Sequence, residues 1–180
     1  FIVMDPGYSP ENRKVIEDNA RNLNIPITIF ESDIFESVYH IEKSPCYLCA
    51  RMRRGHLYSY AKELGCNKIA YAHHKDDVID SFLMSMLYEG RIHTFSPVTH
   101  LEKSGITLIR PLIYALEGEI RAFARTNDLP VCKNPCPADG VTKRQESKDI
   151  IGELKVRVPD VKDRIFSSIE GAGIDGWSRH

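Results

Sequence analysis

The chain has 180 residues, 42% of them hydrophobic and 27% charged, which is enough to bury one real core and is the composition of an ordinary globular domain. A formal net charge of -1 excludes a globally basic nucleic-acid coat, so any RNA contact has to come from a local patch. No apolar run approaches the ~20 residues of a membrane span, and Phe1-Ile2-Val3-Met4 lacks the basic segment of a secretory leader. Five cysteines, unevenly spaced, fit a reducing compartment, by default the cytoplasm, rather than a disulfide framework.

Phe1 to Met4 reads as a buried strand ending at Asp5-Pro6-Gly7. Ser9-Pro10-Glu11 supplies a cap, a first-turn proline and an early acid, predicting a helix from Pro10 to about Leu23. Ile25 to Phe30 is the next strand, and an acidic irregular stretch with a short helix near Ile34 to Val38 leads to Pro45. Ala50, Leu57, Ala61 and Leu64 then recur at helical spacing up to Gly65, before a short buried strand from Lys68 to Ala72. Ile79, Phe82, Leu83, Met86 and Leu87 share one helical face that Gly90 ends. Val98 to Leu101 and Ile106 to Ile109 suit a hairpin, or a strand with an extended arm before it. Ile120, Phe123 and Ala124 mark a helix stopped by Asn127 and Pro130. A basic helix from about Thr142 to Val156 follows, then a short one from about Pro159 to Ile169. Alternating strands and helices predict an α/β fold with a mostly parallel sheet and helices on both faces. Residues 1–170 are expected to form one domain and residues 171–180 a flexible tail.

Two stretches carry chemistry. Cys46-Tyr47-Leu48-Cys49, followed by Arg51, Arg53 and Arg54, opens a helix. Such a pair is a redox couple, half of a zinc site or part of an iron–sulfur site, or simply two buried small residues. A second pair, Cys132 and Cys136, lies in a proline-rich loop, and two such pairs in a thiol-sparse chain are better read as converging on a metal. Cys66, between helix and strand, reads as structural. Spacing alone does not choose between zinc and a cluster. The second stretch, His73-His74-Lys75-Asp76-Asp77, follows a strand at the place where a doubly wound sheet keeps its ligands. It suits magnesium, phosphate or acid–base work, although Asp76 or Asp77 could equally cap the next helix.

Five blocks in order give the chain a resemblance to the ATP pyrophosphatases of the PP-loop class, within them to sulfur transferases like tRNA 2-thiocytidine synthetase. They are Met4-Asp5-Pro6-Gly7-Tyr8, Cys46-x-x-Cys49-x-x-x-Arg53-Arg54, Ala72-His73-His74-x-Asp76-Asp77, Ile109-Arg110-Pro111-Leu112 and Cys136-Pro137-x-x-Gly140-x-x-Lys143-Arg144, spanning roughly residues 1 to 155. The resemblance implies a Rossmann-like fold of the adenine nucleotide alpha hydrolase type. It also implies a reaction: ATP, with magnesium, activates a base carbonyl of tRNA, pyrophosphate leaves, and sulfur replaces the oxygen. A [4Fe-4S] cluster held by Cys46, Cys49 and Cys136 is implied, with Cys132 either a fourth ligand or a spectator.

Met4, Asp5, His73 and His74 are the candidates to bind the nucleotide; because both segments are expected to end strands at the same edge of a parallel sheet, adenine is expected near Val3 to Asp5 and Asp77 near the phosphates or their magnesium. Asp76, Asp77 and Arg53 are the catalytic candidates, Arg53 because it stands one helical turn after Cys49. Arg54, Lys143 and Arg144 would contact tRNA. The partners implied are tRNA and a sulfur donor, protein or sulfide, with a homodimer left open. The family's Ser-Gly-Gly-x-Asp-Ser phosphate loop belongs before Phe1 and occurs nowhere in these residues. The expectation is therefore either a fragment whose first strand, loop and helix are missing or a chain that has lost activity, and ATP hydrolysis by this chain alone is not expected. A non-catalytic metal- and RNA-binding module is the alternative of a different class. A ligase like tRNA lysidine synthetase is the other, but it leaves the cysteines unexplained.

Overall fold

The computed structural model describes residues 1–39, 45–131, 136 and 142–177. Cys132, Pro137, Gly140 and the last three residues of the expected tail lie outside them. The described residues form two compact units, the first containing residues 1–67 and 130–136 and the second residues 68–129 and 137–180.

In the first unit, strand β1 (Ile2–Asp5) pairs in parallel with β2 (Thr28–Glu31), Ile2 opposite Thr28 and Asp5 opposite Glu31. Between them runs α1 (Pro10–Asn22), started as its sequence dictates: Ser9 Oγ accepts the Asn12 N–H at 3.3 Å and Pro10 occupies the first turn. Then come α2 (Ile34–Tyr39) and α3 (Pro45–Glu63). A small core of Met4, Ile34 and Val38 is packed by Phe30, Leu48, Cys49, Met52 and Leu57, and Phe30 stacks on Tyr60 at 4.6 Å. Phe1, expected inside, is 83% exposed. Helix α3 begins at Pro45, so Cys46 and Cys49 both fall in its first turn, three residues apart and on one face. Cys66, read as structural, is exposed.

In the second unit, β3 (Lys68–Ala70) is parallel to β5 (Ile106–Ile109), which is antiparallel to β4 (Val98–Leu101). The hairpin is therefore the form that the Val98 to Ile109 segment takes. The short strand expected to be buried is exposed at Lys68 and Ala70. Helix α4 (Lys75–Met84) runs on into a π-helical turn, Ser85–Glu89, and stops at Gly90, whose φ of 64° suits glycine. The wider turn shifts the apolar stripe, so Met86 and Leu87 are not on the inner face predicted from helical spacing but lie 43% and 49% exposed. Helices α5 (Glu117–Thr126), α6 (Lys143–Arg157) and α7 (Val161–Gly171) complete the unit, with a final 3-10 turn, Ile174–Gly176.

The core of this unit joins Val78, Ile79 and Leu83 of α4 to Ile113, Ile151, Phe166, Ile169 and Trp177. Trp177 corrects the expectation of a flexible tail from residue 171. It is 2% exposed, its Nε1–H donates to the Phe95 carbonyl at 3.1 Å, and its ring meets Phe166 edge-on at 5.1 Å. Among the described residues no helix is long and apolar enough to cross a membrane.

Candidate functional site

The first unit gathers its chemistry at the carboxyl end of β1. Asp5 is buried, and its Oδ1 accepts the Gly7 and Tyr8 N–H groups at 3.0 and 2.7 Å while Oδ2 faces Arg13 at 3.7 Å. Its carbonyl accepts the Ser32 N–H at 2.8 Å. The carboxylate therefore fixes the turn after the strand, a turn that needs glycine because Gly7 has φ 109° and Phe35 approaches where a Cβ would stand. Met4 is in the core. Beside the turn lies a cavity of about 350 Å³ lined by Asp5, Gly7, Tyr8, Pro10, Arg13, Glu31 and Ser32.

Next to it lies Cys49, which feels two other cysteines. Burial pushes the Cys49 thiol up; the Arg53 guanidinium opposes this, and Cys136 and Cys46 add to the rise. Cys49 is thus within electrostatic reach of Cys46 in its own helix and of Cys136 far along the chain. Arg53 stands on the cysteine side of α3, as its spacing from Cys49 predicts. Tyr8 joins the group, raised by burial first and sensing Arg53, Asp5, Cys136 and Cys49. Sequence reasoning used Tyr8 only as part of a motif; an aromatic hydroxyl just past a strand end was the available signal. Arg54 turns back on α3, its Nε–H donating to the Ala50 carbonyl at 3.2 Å.

In the second unit the His-His-Lys-Asp-Asp stretch is the start of α4, with His74 as its N-cap. Asp77 Oδ2 accepts the His74 N–H at 3.1 Å, half of a capping box, while Oδ1 accepts from Arg144 Nη1 at 2.9 Å. Asp76 serves a different helix: its Oδ2 accepts the N–H of Glu117, the first residue of α5, at 2.7 Å, and its Oδ1 pairs with Lys162. Burial works against ionised Asp76, but the Glu117 N–H and Lys162 outweigh it and hold its carboxyl below the ordinary range. Both aspartates are therefore already engaged, one holding α4 to α6 and the other capping α5.

His73 lies edge-on to Tyr71 at 5.4 Å and tilted over Phe95 at 4.9 Å. Its Nδ1 is buried without a hydrogen-bond partner. Burial lowers its pKa most; Asp77 opposes this, and Arg110, Arg144 and His74 reinforce it. The imidazole is held neutral, an acceptor or donor rather than a cation. Arg110 packs over the Phe95 ring at 4.8 Å and donates to the Ser96 carbonyl and to Thr99 Oγ1. Arg144, expected on tRNA, thus stands in the Asp77 site, whereas Lys143 pairs with Glu146 at 2.8 Å and lies over Tyr88.

The chain is similar to curated proteins named tRNA-cytidine(32) 2-sulfurtransferase. It is 33% identical over 174 residues to the one from Anaeromyxobacter dehalogenans (strain 2CP-C), covering 93% of this chain and 59% of that protein. It is 34% identical to the Ralstonia nicotianae protein, over 92% of this chain and 53% of the relative, and 32% identical to that of Pelobacter propionicus, over 93% and 64%. The chain therefore spans somewhat more than half the length of these relatives. Among solved structures, the U34-tRNA thiolase NcsA from Methanococcus maripaludis, described with its [4Fe-4S] cluster, shares the fold. The TM-score is 0.76 at 23% identity, over 95% of this chain and 60% of that one. The PP-loop domain matches residues 7–146, and the chain belongs to that family.

Proposed function

We propose that the protein is an ATP-dependent tRNA sulfurtransferase, which adenylates a base carbonyl and replaces its oxygen with sulfur. The observation that carries this reading is that Cys49 stands within electrostatic reach of Arg53, of Cys46 and of Cys136 from a distant stretch of a PP-loop chain. Cytidine 32 is the first base to test, because that is what the names of the curated relatives specify.

The cysteines suit an iron–sulfur cluster. Among the described residues no three His, Cys, Asp or Glu side chains stand close enough to share a single ion. A cluster, whose iron and sulfide atoms separate its ligands, tolerates the wider spacing. Bound by three thiolates, it would supply an open iron position for the sulfur donor. The residues around it have separate tasks. Arg53 holds positive charge beside the cysteines, where it would stabilise charge on the carbonyl oxygen as the adenylate forms. Asp5 shapes the turn at the mouth of the first unit's cavity. Neutral His73 and the N-cap His74 would bind nucleotide, in the second unit, beside Asp76 and Asp77. Magnesium would arrive with the nucleotide phosphates, since both oxygens of Asp77 already have partners. Arg54, Lys143 and Arg144 would meet tRNA phosphates.

Anaerobic reconstitution with iron and sulfide is expected to give broad visible absorption and labile sulfide in the wild type. Cys49→Ala is expected to lose both. Stoichiometric zinc without labile sulfide would overturn the cluster assignment. Thiolation of tRNA that carries the unthiolated target base, assayed with the intact protein, ATP and sulfide, tests the activity.

A further inference from the structure

Helix α4 carries a third carboxylate that the motif leaves out. Asp80 lies one turn beyond Asp76 and Asp77 and is 4% exposed. Its Oδ2 is buried without a hydrogen-bond partner, and it lines a cavity of about 100 Å³ with Asp76, Glu117, Lys148, Ile151 and Lys162. That volume has room for a few water molecules, and its walls are polar enough to hold them. The groups facing Asp80 come from every neighbouring helix. They are Asp76 and Asp77 on α4, Glu117 on α5, Arg144 and Lys148 on α6, and Lys162 on α7. Lys162 is on Asp76, Lys148 is 3.3 Å from Glu117, and Arg144 is 2.9 Å from Asp77.

Burial pushes the Asp80 carboxyl up to about 6; Lys148 and Arg144 pull against the rise, and Asp77 and Asp76 add to it. At neutral pH the group is mostly ionised, in a place where its charge costs the fold more than its neighbours return. A buried charge kept against stability, inside a cluster of ion pairs, is a mark of function.

We propose that Asp80 is a positioning residue for the Asp76–Asp77 site. Its carboxylate, one helical turn behind the pair, keeps Lys148 and Arg144 drawn over α4, so that Asp77 retains the partner that aims it. What the site does rests on the sulfurtransferase reading; the positioning itself does not.

The test is Asp80→Asn, which keeps the shape and removes the charge, with Asp80→Glu as the rescue. The folded carboxyl holds its proton more tightly than the unfolded one, so ionised Asp80 draws down wild-type stability as pH rises from the unfolded range towards 6. Asp80→Asn is therefore expected to melt above the wild type at pH 7–8, with the gap closing towards pH 4. Its single-turnover thiolation in the intact protein is expected to fall by about 10-fold or more, as displaced positioning groups do. The acid limb of the rate profile near pH 6 should disappear in Asp80→Asn and return in Asp80→Glu; a limb that survives in Asp80→Asn overturns the proposal. A variant less stable than wild type at pH 7, or more stable with an unchanged rate, overturns the proposal. A crystal structure of Asp80→Asn at neutral pH decides the matter even if thiolation itself is not the activity. Arg144 leaving Asp77 or Lys148 leaving Glu117 is expected, and both pairs unchanged would overturn it.

Discussion

Trp177→Ala is expected to lower the free energy of unfolding by about 3–5 kcal/mol, the range for removing a large aromatic side chain from a packed core. The indole is enclosed by Phe166, Tyr114 and the Phe95 carbonyl, and the segment that brings it there is itself held. Asp175 Oδ2 accepts the Thr94 N–H at 2.8 Å and pairs with His93, while Ser96 Oγ donates to the Asp175 carbonyl. Truncation therefore leaves an aromatic-lined void that this fixed segment cannot readily fill, and an orphaned carbonyl besides. Trp177→Phe keeps an aromatic ring but loses the N–H donor, and should cost less. Because Trp177 is the only tryptophan, its emission reports the same event in a denaturant titration: blue-shifted when folded, red-shifted on unfolding. A loss below about 1 kcal/mol, the scale of a surface substitution, would mean that the terminal segment is no part of the core.

Arg53→Ala is expected to slow single-turnover thiolation by about 10²-fold, the effect of losing one charged donor to a developing oxyanion, with tRNA affinity little changed. The structural reason is its placement: after burial, Arg53 is the strongest influence on the Cys49 thiol, and it also reaches Tyr8. Without the guanidinium, Cys49 rises further, so alkylation of the cluster-free protein at pH 8 should slow as well. Arg53→Lys keeps charge but loses the planar fork, and should recover part of the rate. A variant with normal turnover at saturating tRNA and weakened binding would return Arg53 to the class of phosphate contacts.

Much of this was legible because local rules and tertiary demands agree. Ser9-Pro10 starts a helix by its own chemistry, the two apolar runs around Ser104-Gly105 pair as a hairpin, and Cys49 to Arg53 is one turn of whatever helix holds them. The misreadings occur where distant packing decides. Nothing within residues 171–176 announces that Trp177 has a socket made by Phe166 and Tyr114. The stripe from Ile79 to Leu87 is broken by a π-helical turn that apolar spacing cannot register. Asp76 and Asp77 look alike in sequence, yet one caps α5 from afar and the other caps its own helix, because their partners come from α5, α6 and α7. Asp80 escaped notice for the same reason. A single acid at helical spacing reads as solvated surface until α6 and α7 are seen to cover it.

The pairing of Arg144 with Asp77 bears on how tRNA binding should respond to salt. A phosphate that takes a bare cation displaces condensed counterions from the nucleic acid and steepens the fall of affinity with salt. A phosphate that takes Arg144 strands a carboxylate, which must then gather a cation of its own from solution. The exchange releases little net salt, and Lys143, already on Glu146, behaves alike. Two of the three residues assigned to tRNA are thus ion exchangers rather than bare charges. The salt slope of binding then undercounts the contacts, and each phosphate that docks on Arg144 frees Asp77 at the same moment.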